Sequence, residues 1–487
     1  MKTVGTCVCL LIWASASSAA PNAALEAAVR DRLAVRSLDI VELDLPDQTG
    51  DGFAATVNLD GVERRLLLQP HSLRSPDFQL LERDGDGKLI SGESIPPPCT
   101  VRGTVEGRPG SEVAGSLADG QLDALVRLDA DSSDLWCIQP AKALVPDAPA
   151  ALHIVYQSTE LAPSQARCGS DHIPPIETGD QGSRPSTSPG ALAAGGPQVA
   201  DLLIETDFPF WQLHGSSRTR AFREVELVLN LVDVIYRRDI DISYAIRYLI
   251  PWTSPDNYGG TVAEEVLELL RDAWDSGLPG GVERDTVHLF SGRNLDDGVV
   301  GIAYQPGFCT PSPGYGYGLS AASTMSVIER AAVTAHELGH NWSAGHCDGN
   351  PGCDIMCSFI GGCEGNITSF TLSAPIIDFY RNSFSCTGLF ALPWFTVWVD
   401  WRNQSGNQDG TPQHPFSWPL PGYWRVEPGG TLSIANGVYE SSHLMQKAAT
   451  LVATGGPVLI TGFASRPPGA SESVGASASD VSYMGRK

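Results

Sequence analysis

Residues 332–357 read "AVTAHELGHNWSAGHCDGNPGCDIMC" and gather three of the chain's ten histidines within eleven positions, with one of its five methionines. His336 and His340 lie four residues apart, so on a helix both imidazoles leave the same face. Two neutral imidazoles so arranged can hold a zinc ion, and Glu337, beside the metal position rather than on it, can take a proton from a water there. His346 follows His340 by six residues, which one straight helix cannot present to the same ion. The chain must turn sharply in between, and Gly345 in "SAGH" suits such a turn. Met356, ten residues beyond His346, completes a long three-histidine pattern with its methionine turn. The plain alternative, a solvated helix with two surface histidines, leaves the third histidine and the methionine unexplained.

The element that must carry the first two histidines is "STMSVIERAAVTAHELGHNW" (323–342), which is helix-competent and offers Val327, Ala331, Val333, Ala335 and Leu338 for burial. Gly339 leaves room for another segment to approach. Upstream, "VADLLIETD" (199–207) reads as a buried strand and 219–239 as a helix. "ISYAIRYLI" reads as a strand, 261–277 as a second helix, and "DTVHLFSG" and "VVGIAY" as two further strands. Strands alternating with helices predict a mixed α/β sandwich. Residues 36–160 carry short alternating runs separated by "DG" and "PG" turns, which predicts a small antiparallel β domain. "RDGDGKLISGE" (83–93) lacks the acidic twelfth position of a calcium loop and reads as a hairpin turn. Residues 169–198, rich in Pro, Gly and Ser, read as an exposed, protease-accessible linker.

Length and charge bound the function. A chain of 487 residues implies two to four units, and a formal charge of −24 argues against nucleic-acid or anionic-membrane partners. Lys2, the apolar run after it and "SASSAA" read as an export signal cleaved near Ala19 or Ala20, which predicts an extracellular or periplasmic protein. No later segment is apolar for long enough to suggest a membrane span. The sequence does not indicate an oligomeric state.

"HELGHNWSAGH" with a Cys-rich loop and "CDIMC" resembles the zinc site of the reprolysin (snake-venom and ADAM-type) branch of the metzincins. The likeness extends to "DTVHLFSGRNLDDGVVGIAYQPGFC", which resembles the family's sheet and substrate-binding edge strand, and to 99–122, which resembles its propeptide. It implies an α/β (α+β) catalytic domain with a mixed, twisted sheet, a zinc ion held by His336, His340 and His346, and Glu337 as the catalytic base. Met356 becomes an apolar floor beneath the metal, and Gly301, Ile302, Ala303 and Tyr304 the strand against which a peptide substrate pairs. One departure is that the family has Gly where this chain has Ser343. The implied layout is a signal peptide at 1–20, a β-rich prodomain at 21–168, the linker at 169–198 and the peptidase domain at 199–388. A small all-β appendage at 389–465 resembles the first turns of a right-handed parallel β-helix, and 466–487 reads as a disordered tail.

Nine cysteines remain after signal removal, six of them in the peptidase part, which is consistent with three disulfides. The resemblance implies a Cys309–Cys386 bridge, while pairing among Cys347, Cys353, Cys357 and Cys363 stays open; a second zinc site there is the alternative. Cys99 and Cys137 can pair within the β domain, leaving Cys168 in "SQARCGSD" as the odd thiol. That segment is similar to the cysteine switch of metzincin propeptides, in which a thiolate occupies the water's place on zinc. The family's calcium site would use Asp201 and Asp285, but "CTGLF" lacks the expected Asn. Sequons stand at Asn341, Asn366 and Asn403. The function implied is a secreted zinc endopeptidase made as a latent zymogen, one Zn2+ per chain, acting on protein or peptide substrates. The alternative is a catalytically silent binding module.

Overall fold

The computed structural model describes most of residues 19–461, together with 481–484. The longest stretches outside the description are 1–18, 84–88, 177–197, 276–283, 309–313, 384–393, 404–409, 441–449 and 462–480.

Helix α1 (Ala19–Leu33) leads into β1 (Asp39–Glu42), β2 (Phe53–Leu59) and β3 (Val62–Pro70). β2 and β3 join through Asp60-Gly61, both at positive φ, the two-residue turn whose twist matches antiparallel strands. β4 (Arg74–Arg83) and β5 (Leu89–Ser91) pair antiparallel, while 84–88, where the turn within 83–93 is expected, lies outside the described residues. β6 (Thr100–Val105), β7 (Glu112–Ala118), β8 (Gln121–Arg127), β9 (Trp136–Pro140), helix α2 (Ala141–Leu144) and β10 (Leu152–Gln157) complete the N-terminal region, with Asp119-Gly120 repeating the same turn between β7 and β8. Eight of these strands make one antiparallel sheet in the order β1-β10-β9-β8-β7-β6-β3-β2.

β4 and β5 do not belong to that sheet. β4 pairs in parallel with a strand of the peptidase sheet, so the expectation of a self-contained β domain is corrected. That second sheet contains β11 (Arg167–Cys168), β12 (Gln198–Thr206), β13 (Ile242–Pro251), β14 (Thr286–Phe290), β15 (Val299–Ala303) and β16 (Tyr317–Ser320), in the order β11-β15-β16-β14-β12-β13-β4-β5. β12, β13, β14 and β16 run parallel, and β15 is antiparallel to β16. Both flanks of this five-stranded mixed sheet are thus covered by strands from the N-terminal region: β4 beyond β13 and β11 beyond β15.

Helix α3 (Phe208–Leu213) is followed by α4 (Arg218–Ile240), capped by the Ser217 hydroxyl and ended by Asp241 in the left-handed conformation. α5 (Ala263–Asp275) packs on the other side of the sheet, where Val266, Leu267, Leu270 and Trp274 are buried with Leu203, Val287 and Ile302. α6 (Val327–Asn341) begins with a capping box, the Ser326 hydroxyl meeting the Glu329 N–H while the Glu329 carboxylate accepts from the Ser326 N–H. The helix therefore starts at 327, later than the pattern from 323 suggested. One core unites α4 and α6 with Ala114, Leu125 and Ile154 of the N-terminal sheet and with Leu135 just before β9. α7 (Ala374–Ser383) closes the described peptidase part.

The C-terminal segment forms a separate sheet of β17 (Trp394–Val399), β18 (Val426–Glu440), β19 (Thr450–Thr461) and β20 (Val481–Met484). Each strand pairs in parallel with the next along the chain, over a core of its own containing Val397, Leu432, Ile434 and Ile460. β20 lies inside the tail read as disordered, which corrects that expectation for 481–484.

Candidate active site

α6 carries His336, Glu337 and His340 into the interior, each about 1% exposed. Gly339 lies against the Met356 sulfur, so the residue expected to let another segment approach admits the methionine turn. After Trp342 the chain reverses through a Schellman-type cap: the Ser343 N–H donates to the His340 carbonyl at 2.8 Å and the Ala344 N–H to the Gly339 carbonyl at 2.9 Å. The left-handed residue is Ser343, at φ 76°; the turn is therefore not made by Gly345, the sequence expectation this corrects. A side chain there costs about 1 kcal/mol relative to glycine.

The turn returns His346 to the helix. The three Nε2 atoms converge, with His336–His340 at 3.0 Å and His346 at 3.2 Å from each. A tetrahedral zinc ion with N ligands at about 2.05 Å separates two of them by roughly 3.3 Å, so the donor set fits. The outer nitrogens are held too: His336 Nδ1 lies 2.8 Å from the Ile355 carbonyl, His340 Nδ1 2.8 Å from the Ala344 carbonyl and His346 Nδ1 2.7 Å from an Asp171 carboxylate oxygen. Each contact places the ring proton on Nδ1 and frees the Nε2 lone pair. Burial, with the neighbouring His346, pushes His336 down to about 3, and burial with both neighbouring imidazoles pushes His340 well below the ordinary range. His336 and His340 are therefore neutral, the form that binds metal.

The Glu337 carboxylate is buried beside this triad and pushed well above the usual carboxylate range by that burial. Gly301 of β15 faces it so closely that a Cβ there would collide with the carboxylate. Cys168 joins them: its Sγ is 3.4 Å from His340 Nε2 and 3.5 Å from Glu337 Oε2. Cys168 and the three histidines together present four ligand atoms within 4.8 Å of one another.

The segment around Cys168 runs beside β15 as a strand. Arg167 and Cys168 pair in parallel with β15, the Gly169 N–H donates to the Gly301 carbonyl at 2.8 Å, and the Ser170 hydroxyl lies 3.1 Å from both the N–H and the carbonyl oxygen of Ala303. On its other side the Cys168 N–H donates to the Ser358 carbonyl at 2.9 Å, and the Ile176 N–H reaches the Gln305 carbonyl at 2.9 Å. Residues 169–174 and 176, assigned to the linker, are therefore ordered against the peptidase sheet. Tyr304 follows β15, its N–H on the Tyr317 carbonyl at 3.2 Å.

Cys347 pairs with Cys353 and Cys357 with Cys363, which resolves the open pairing and consumes the thiols of the alternative second zinc site. Cys309 and Cys386 lie outside the described residues. Cys99 and Cys137 are unpaired, which corrects the expected bridge. They flank or occupy β6 and β9, three strand spacings or about 14 Å apart, whereas a disulfide needs Cα atoms within about 7 Å. Asp201 binds Arg247 at 2.9 Å and its N–H donates to Asp285 at 2.7 Å, so a guanidinium rather than a vacant oxygen cluster faces the expected calcium position. The 384–390 part of that position lies outside the described residues. The Asn341 amide is buried, donating to the Tyr304 and Tyr317 carbonyls at 2.9 and 3.1 Å, so that sequon is inaccessible. Sequence reasoning missed Asp171 and Ser170; the Ser-Asp following Cys-Gly was the signal available.

A reprolysin model of metallopeptidase family M12 matches residues 196–382, the span that holds the triad, Glu337 and Met356. Residues 196–382 form a reprolysin-type zinc metalloendopeptidase domain. The chain is 26% identical to snake venom metalloproteinase fibrolase of Macrovipera lebetinus over 166 residues, 32% of this chain and 79% of that protein. It is 27% identical to trimerelysin-2 of Protobothrops flavoviridis over 149 residues, 30% of this chain and 73% of that one. Over 335 residues it is 24% identical to human disintegrin and metalloproteinase domain-containing protein 33, covering 66% of this chain and 39% of that protein. The last match is longer than the 196–382 span, while leaving most of the human protein's length unmatched.

Proposed function

We propose that the chain is an exported zinc endopeptidase, made latent by its N-terminal region, in which His336, His340 and His346 hold the metal and Glu337 is the base. The observation that carries this is the convergence of three Nε2 atoms and one buried carboxylate, with Cys168 seated among them. Zinc bound there would polarise a water and the scissile carbonyl. Glu337 accepts the proton of the attacking water and delivers it to the leaving amine, and its confinement against Gly301 keeps the carboxylate aimed at the site. The carbonyl of Gly301 and the N–H and carbonyl of Ala303, taken by residues 169 and 170 in the latent chain, are the groups that pair with an extended peptide once that segment leaves.

Cys168 is the latch in this reading: its thiolate takes the water's place, and its strand fills the substrate's place. Processing within 177–197 begins release. The signal at 1–20 directs export, 21–176 forms the inhibitory region, and 389–465 is an appendage whose parallel strand stacking supports its reading as the start of a parallel β-helix.

The test uses the processed chain. It should carry about one zinc, and Glu337→Gln should keep the metal while losing peptide hydrolysis by orders of magnitude. Activity surviving that change would remove Glu337 from the mechanism, and a zinc-free parent would remove the site. In the full chain with the linker made uncleavable, Cys168→Ala should hydrolyse small peptides and the parent should not; equal latency would assign inhibition to the strand alone.

A further inference from the structure

The three histidines differ in what holds their outer nitrogens. His336 and His340 use backbone carbonyls of the reprolysin domain itself, at Ile355 and Ala344. His346 uses the carboxylate of Asp171, which lies on the other side of the 177–197 linker, three residues after Cys168. Asp171 sits in a single 3-10 turn, Ser170–His172, tied to the domain at both ends. The Ser170 hydroxyl lies on the Ala303 N–H and carbonyl at 3.1 Å, and His172 Nδ1 meets Glu264 of α5 at 2.6 Å. The carboxylate is presented by an anchored turn, while most of its own surface remains in solvent.

We propose that Asp171 is a positioning residue for His346, so that the N-terminal segment supplies the third histidine's orienting carboxylate and the latent chain retains its metal more firmly than the processed chain. This rests on the reading of His336, His340 and His346 as zinc ligands. The physical basis is that a carboxylate accepting the Nδ1 proton fixes the ring's tautomer and orientation and raises the basicity of the coordinating nitrogen, more than a neutral carbonyl does. His346 is also the ligand that most needs such a hold. It lies beyond the Ser343 turn rather than on α6, so its orientation is not set by helix geometry. Processing then removes two things at once: the Cys168 sulfur from the metal's fourth position, and the Asp171 carboxylate from behind the third ligand. The second loss leaves His346 Nδ1 to water and gives the working enzyme a looser, more exchangeable metal.

The experiment uses the full chain with the linker made uncleavable and loaded with zinc. Zinc release to excess chelator is timed for the parent, Asp171→Ala, Asp171→Asn and Asp171→Glu, and again with Cys168→Ala added to each. Asp171→Ala should speed release about 10–100-fold in either cysteine background. Asp171→Asn should fall between, and Asp171→Glu should recover part of the loss. Nitrogen-15 NMR of the histidines supplies a readout that a general loosening would not reproduce: the His346 Nδ1–H resonance should shift or exchange away in Asp171→Ala while those of His336 and His340 stay in place. Release within twofold of the parent with an unmoved His346 resonance overturns the proposal. So does simultaneous loss of all three resonances, which would mark a collapse of the segment. A parent that binds no zinc would instead overturn the metal reading beneath it.

Discussion

The N-terminal region and the C-terminal appendage are both β-rich and both lie outside the reprolysin domain, yet they relate to it in opposite ways. The first is interwoven with it. It lends β4 to one flank of the sheet and β11 to the other, and shares a hydrophobic core with α4 and α6. Its Arg102 reaches the buried Asp233 of α4, and Asn230 of the same helix donates to the Val101 and Gly115 carbonyls at 3.1 and 3.0 Å. The appendage instead pairs its strands with one another over its own core. On the proposed reading, in which the N-terminal region is removed on activation, the difference teaches that the removable region can be the more deeply integrated of the two. Such latency would require it to compete for the surfaces the catalytic machinery uses, whereas an appendage need only be tethered.

The comparison breaks most sharply at Arg102. Arg102→Ala leaves the Asp233 carboxylate buried without that partner, and breaking such a pair costs about 3–5 kcal/mol. Urea unfolding of the full chain should show this loss, and the double variant with Asp233→Ala should recover much of it; a loss under 1 kcal/mol would mean the regions are less coupled than their buried pairs imply. The appendage should behave in the contrary way. Truncation near Leu389, in the processed enzyme, should leave small-peptide turnover within a few-fold, and loss of turnover with the remaining domain still folded would make the appendage part of the site.

A smaller effect is pH-dependent and belongs to the N-terminal interface alone. Asp123 of β8 is pushed up from 3.8 to about 7, chiefly by burial, with Arg330 of α6 opposing and Glu224 of α4 adding to the rise. Between about pH 4 and 7 the folded chain keeps a proton that the unfolded chain has released. The corresponding stability is complete below about pH 4 and is lost as pH rises through about 7. Asp123→Asn should flatten that slope when urea midpoints are compared from pH 5 to 8, and an unchanged difference between parent and variant across the range would exclude it. The smallest change is local. Ser343→Gly removes a left-handed side chain and should stabilise the processed domain by about 1 kcal/mol without altering zinc content, as read by thermal unfolding.

Much of the site could be read from the chain because its parts are close in sequence. Helical spacing placed His336, Glu337 and His340 together, and the six-residue step to His346 demanded a turn. Which residue makes the turn could not be read, since glycine is the ordinary occupant of a left-handed position and the chain uses Ser343 while Gly345 stands two residues on. The odd thiol at Cys168 was visible by counting, although the count rested on a Cys99–Cys137 bridge that the strand order separates.

What the sequence by itself determined is therefore the local chemistry: the candidate ligands and base, the proposed methionine turn, the alternation of strands and helices, and the paired Asp-Gly hairpins. Only the tertiary structure decided which sheet each strand entered. "RSPDFQLLER" has the pattern of a half-buried strand in either sheet, and nothing within ten residues states that its backbone will complete the edge of β13, some 170 residues later. The same holds for Asp171 and His346, 175 residues apart in the chain and 2.7 Å apart in the fold. Backbone hydrogen-bonding groups are the same in every strand, so pairing partners are chosen by what packing leaves uncovered, and that exists only once the chain has folded.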